Sequence, residues 1–297
     1  MKGVIWFLVI CFGLAWASWE IAISFGVSVL SWQFELYALP GAFAPAIAAI
    51  VVRKWITREG FADAGLGLHA ARWPIYLFAW LLPLAVVAVV LAEAVSLGVA
   101  RPDFTLTQAI ATGDAGHSLT ALRNPGLWVV PQLMGMAILM TPVLWGEEFG
   151  WRGYLQMRIF PGRPVPAAIA TGLIWGIWHY PVTLRGYDFP GQPILGSLLL
   201  TVCAVLLAYI FGWIRARSGS IWAPSLAHAA TNTIGGLTLL WLAGAKNLAL
   251  ISYAGVLAIP PLLYVCSCLF WADRRSSFRG RGARRLGRQG VSDEEPV

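Results

Sequence analysis

Two adjacent carboxylates and an arginine, in Glu147-Glu148-Phe149-Gly150-Trp151-Arg152, close a long apolar run. Ionisable side chains are expensive in lipid, so they turn towards protein or water and are candidates for function. On a helix, Glu148 and Arg152 share a face and can pair. Glu147 points about 100° away from Glu148 at 3.6 residues per turn. The arginine can thus neutralise one glutamate and leave the other for chemistry. The plainer alternative is a helix end with ordinary solvated charges, and two further polar positions inside apolar runs weigh against it. His179 closes Trp175-Gly176-Ile177-Trp178-His179 just before Pro181, and His228 lies in Ala227-His228-Ala229-Ala230-Thr231-Asn232. His228 and Asn232 are four apart, hence on one helix face. A lone membrane histidine is more often an interhelical hydrogen-bonding residue. The set of Glu147, Glu148, Arg152, His179, His228 and Asn232 is the chemistry of a hydrolytic or metal site. A desolvated carboxylate can take a proton from water, imidazole can orient that water, and a His/Asn pair can hydrogen-bond a developing oxyanion. The same Glu, His, His and Asn could instead hold zinc with an open coordination position.

The elements that must position these residues are membrane helices. The chain has 297 residues, 58% of them hydrophobic and only 12% charged, with mean hydropathy +0.70. That charge content is about half that of a soluble domain. Crossing lipid takes about 20 apolar residues. Such runs stand near residues 3–29, 36–52, 73–100, 127–145, 164–184, 194–214, 221–242 and 248–271. The pattern predicts an all-α polytopic bundle of about eight transmembrane helices, because an open sheet edge is not tolerated in lipid. Residues 1–272 form one transmembrane domain, with the polar motifs inside 127–242, and 273–297 form a flexible tail that is basic and then acidic. With both termini on the cytoplasmic side, every Lys and Arg except Arg101, Arg123, Arg185 and Lys246 falls inside, as the positive-inside rule requires. The net charge of +7 collects in the tail from Arg274 to Arg288, which reads as an anchor to anionic lipid; nothing resembles a nucleic-acid-binding fold. The first run resembles a signal peptide ending at Ala15-Trp16-Ala17, but its apolar stretch continues to Leu30, so a retained anchor is expected. The four cysteines lie in apolar runs and read as free thiols.

Glu147-Glu148-x-x-x-Arg152, then Trp175-x-x-x-His179, then His228-x-x-x-Asn232, resembles the CPBP family of intramembrane endopeptidases. That family includes the type II CAAX prenyl endopeptidases and the Abi and bacteriocin-immunity proteins. The resemblance covers about residues 127–242. It implies that Glu147 and His179 activate water, that His228 and Asn232 form the oxyanion site, and that Glu148 pairs with Arg152 to hold the helix. It implies a peptidase cleaving a membrane-associated or lipidated substrate near the cytoplasmic face of the cell membrane. A metal-free mechanism is favoured over zinc held by Glu147, His179 and His228. One departure is Trp175, where the family pattern usually has Phe. Two other classes fit the same polar set: a non-catalytic immunity or partner protein of this fold, and a proton-coupled transporter. Counted from the basic ends at 1.5 Å per residue, His228 lies about 10 Å deep and His179 about 22 Å. Convergence therefore predicts that the fourth helix continues past Glu147 to about Phe160, and that the fifth is tilted or starts later.

Overall fold

The structure, a computed structural model, describes residues 1–107, 125–244 and 247–289, with side chains as far as residue 275. His117, Arg123, Lys246 and most of the predicted outer connection lie outside the described residues. The helices in chain order are α1 (Lys2–Ser24), α2 (Trp32–Ala42), α3 (Ala44–Val51) and α4 (Trp73–Ser96). Next come α5 (Pro125–Gly150), α6 (Gln156–Ile159), α7 (Pro164–Trp178), α8 (Tyr180–Thr183) and α9 (Pro193–Ser218). The last are α10 (Trp222–Ile234), α11 (Leu237–Trp241), α12 (Leu248–Ile251) and α13 (Ile259–Gln289). One two-residue antiparallel pair, β1 (Arg101–Pro102) with β2 (Leu242–Ala243), is the sheet among the described residues.

The all-α membrane architecture is as predicted, although eight separate long spans are not seen among the described residues. Among the described residues six helices are long and apolar enough to cross a membrane: Lys2–Ser24, Trp32–Ile56, Ala70–Ser96, Pro125–Ile159, Pro193–Ser218 and Leu248–Arg275. The fifth and seventh predicted spans are shorter helices. α7 stops at Trp178, ahead of Pro181, and α10 stops before Gly235-Gly236. Both are covered by other helices, α7 by α9, and α10 by α4 and α5, so neither needs lipid-spanning length to satisfy its backbone. The last helix runs on to Gln289, and Asp273 within it accepts from Trp213 and Arg217 of α9. Residues 290–297 lie outside the described residues.

Apolar side chains stay exposed along the long helices, among them Ile5, Val9, Leu77, Leu81, Leu139, Leu198, Val202 and Leu263. That is the surface lipid would cover. The interior uses small residues for close approach. A Cβ on Gly172 would come within 2.3 Å of the Val205 Cα, and one on Gly176 within 2.7 Å of the Thr201 Cα. Gly172-x-x-x-Gly176 thus seats α7 directly on the α9 backbone, the small-xxx-small device of membrane helices.

The helix carrying the glutamates does continue past them. α5 passes into a π-helical turn, Trp151–Leu155, and then α6 to Ile159. A second π-helical turn, Val52–Ile56, follows α3. Arg53 from that turn donates Nη2 to the Gly153 carbonyl of the first turn at 3.0 Å. Arg53 is fully buried, and it also holds Asp63 at 2.8 Å and the Gly60 carbonyl. Arg158 and Arg215 reach the same segment, at the Asp63 carboxylate and the Asp63 carbonyl. Residues 57–69 therefore strap one end of the bundle. The strap also resolves the depth mismatch. α7 begins at Pro164, no later than predicted, whereas α10 begins beneath the strap. The Ile221 N–H donates to the Gly65 carbonyl, Trp222 Nε1 donates to that of Leu66, and Ser220 and Ile221 are wholly buried. His228 is correspondingly deeper than a count from the surface suggests.

Candidate active site

Three helices bring the polar residues together. From α5, Glu147 and Glu148 diverge as helical spacing requires. Glu148 is fully buried, and its Oε1 takes Arg152 Nη1 at 2.7 Å and His228 Nδ1 at 3.0 Å. The predicted Glu148–Arg152 pair is present, and His228 is a third member that spacing along one helix could not reveal. Arg152 is sandwiched, its Cζ 4.5 Å from the Trp175 ring centroid and 5.1 Å from that of Phe211. Flat guanidinium on aromatic faces offsets part of the cost of burying the charge.

Glu147 faces the other way. Its Oε2 accepts from Trp175 Nε1 at 3.0 Å and, at 3.4 Å, from Trp151 Nε1. Among the described residues no side chain hydrogen-bonds the other oxygen. His179, at the C-terminal end of α7, has Nδ1 2.8 Å from the Trp175 carbonyl. A carbonyl can only accept, so Nδ1 carries the proton, and Nε2 is bare in the neutral ring. His179 lies within electrostatic range of both Glu147 and His228 without bonding either. His228 is buried against Trp175, at a ring separation of 5.0 Å, and against Phe211. With Nδ1 turned to Glu148, its Nε2 is the nitrogen left for a ligand. Asn232, one turn further along α10, is exposed, and no described residue hydrogen-bonds its side chain. The structure thus joins Glu148, Arg152 and His228 directly and places Glu147 and His179 around Trp175. It leaves Asn232 at the edge.

Glu147, His179 and His228 do not gather into a metal-holding group. Among the described residues no three His, Cys, Asp or Glu side chains do so. Sequence reasoning missed the donor role of Trp175 and Trp151, and Phe211 beneath Arg152 and His228. The available signal was the identity of residue 175, since tryptophan carries an N–H that phenylalanine lacks.

Fold and site define a polytopic helical membrane protein with a buried glutamate–histidine–arginine centre. Residues 127–234 of this chain, which hold every one of the six site residues, match the family model of Rce1-like type II CAAX prenyl endopeptidases. No curated protein matches the chain.

Proposed function

We propose that the protein is an intramembrane endopeptidase that hydrolyses a peptide bond in a membrane-associated or lipidated substrate. The observation that carries this reading is the unequal treatment of two neighbouring glutamates. Glu148 is consumed by Arg152 and His228, whereas Glu147 keeps one oxygen without a hydrogen-bonding side chain and lies within electrostatic range of His179. A general base needs a free lone pair on a carboxylate held in one orientation. The match of residues 127–234 to a peptidase family supports the same reading.

In the mechanism a water sits between Glu147 and His179 Nε2. Glu147 takes one proton as the oxygen attacks the scissile carbonyl. His228, whose Nδ1–H is held by Glu148, donates from Nε2 as the imidazolium and, with the Asn232 amide, stabilises the oxyanion. Collapse breaks the C–N bond, and Glu147 returns the proton to the departing amine, so base and acid are the same group. Glu148 and Arg152 hold the helix and His228 in place. Because the three side chains a zinc ion would need do not converge among the described residues, no step is routed through a metal. The strapped end, with Arg53, Arg158 and Arg215, is assigned to the cytoplasmic side of the cell membrane. Both termini lie there, and the basic tail rests on anionic lipid.

The test compares membranes carrying wild type with membranes carrying Glu147→Ala at equal expression, by mass-spectrometric mapping of new peptide termini. Termini present only with wild type establish the peptidase and reveal its cleavage rule. Identical termini from two folded proteins would refute it.

A further inference from the structure

We infer that Trp175 is a positioning residue for Glu147, its indole N–H holding one carboxylate oxygen so that the other faces the reacting water. The inference rests on the reading of Glu147 as the base. Trp175 is buried at 4% exposure and touches four members of the site. Its Nε1 donates to Glu147 Oε2 at 3.0 Å. Its carbonyl takes the Nδ1 proton of His179 at 2.8 Å, which fixes that ring's tautomer. Its ring lies over Arg152, 4.5 Å from Cζ, and stands edge-on to His228 with centroids 5.0 Å apart. Gly172 and Gly176, on either side of it in sequence, press α7 onto the α9 backbone, so this donor is carried by a helix with little room to shift.

Both donors to Glu147, Trp175 and the longer Trp151, use the same oxygen. Hydrogen bonds to a carboxylate are charge-assisted and directional, and placing both on Oε2 removes the two-fold ambiguity of the carboxylate. Oε1 is then the basic oxygen, and its direction is set before substrate arrives. A phenylalanine at this position would keep the contacts with Arg152 and His228 and the backbone carbonyl for His179. It would supply no donor.

The experiment uses the full chain in lipid nanodiscs, as wild type, Trp175→Phe and a variant carrying the benzothiophene isostere of tryptophan at 175. The isostere has the same shape without the N–H and covers the case in which Trp175→Phe fails to fold. The infrared carboxylate bands of Glu147 are isolated by subtracting the spectrum of Glu147→Gln. Loss of the donor shifts the antisymmetric stretch in both variants. With a peptide chosen from the mapped cleavage sites, kcat falls about tenfold to a hundredfold, as expected for a base displaced by a fraction of an ångström, while KM stays within about twofold. An unmoved carboxylate band, or full kcat in the isostere variant, overturns the inference. If wild type cleaves nothing, the peptidase reading falls by itself and the band alone decides the hydrogen bond.

Discussion

Glu148→Ala and Glu147→Ala separate the two roles by stability. Glu148 and Arg152 are both fully buried, bonded at 2.7 Å, and the guanidinium's Nε and Nη2 already have no hydrogen-bond partner. Removing Glu148 leaves a buried cation without its counter-charge and strips His228 of its 3.0 Å partner. Breaking a buried pair in this way costs about 3–5 kcal/mol, which at roughly 2–4 °C per kcal/mol in chains of comparable size gives a drop of roughly 6–20 °C in Tm. Glu147→Ala deletes one neighbour of two indole N–H groups, one of them at 3.4 Å. It also removes a buried anion, so its net cost is smaller, about 1–2 kcal/mol. The double variant Glu148→Ala/Arg152→Met removes both charges of the pair and recovers most of the loss. Thermal melts in detergent, followed by the monodisperse fraction on gel filtration, rank the three. Equal losses for the two alanine variants, or a double variant no better than Glu148→Ala, would refute the assignment of Glu148 to structure and Glu147 to chemistry.

Gly176→Val places a branched side chain against the Thr201 backbone, with Cα 2.7 Å from the new Cβ. Overpacking against backbone costs about 1–3 kcal/mol, and the shift it forces on α7 moves His179, so cleavage falls with stability; a variant with wild-type melt and activity would show that α7 and α9 are not locked here. Acid should loosen the strap. The Arg53 side-chain hydrogen bond, opposed by partial burial and aided by the charges of Arg53 and Arg158, holds the Asp63 carboxyl at about 2, below its ordinary 3.8. A depressed folded value means the stabilisation is present above about pH 4 and is lost as pH falls towards 2. The Asp63 side chain is about half exposed, so solvent screening reduces the effect to about 1 kcal/mol. Melting temperature against pH should slope in that window for wild type and be flat for Asp63→Asn; parallel curves would remove Asp63 from the strap.

Much of this was legible in the sequence, and what was not has a physical cause. Glu148 and Arg152 pair because four residues make one helical turn, and that holds without tertiary information. The apolar runs found the helices but not their ends, since hydropathy measures oiliness and not continuity. It ran through His179 and Gly235-Gly236, where each helix is interrupted and a short one follows, so two predicted spans are each made of two shorter helices. The π-helical turn at Trp151–Leu155 leaves no pattern in composition, although π-turns recur at functional sites. Long-range partners were out of reach: His228 meets Glu148 across 80 positions and Trp175 meets Glu147 across 28. One prediction of shared face also needed the structure to be read correctly. His228 and Asn232 do lie one turn apart on α10, yet the first is 4% exposed and the second is open. The face they share runs from the charged interior, where Glu148 holds a histidine, to an exposed edge at Asn232. Burial and the Glu148 bond give His228 its fixed direction, whereas Asn232 is exposed. On the peptidase reading proposed above, a substrate carbonyl would meet Asn232 first and His228 last.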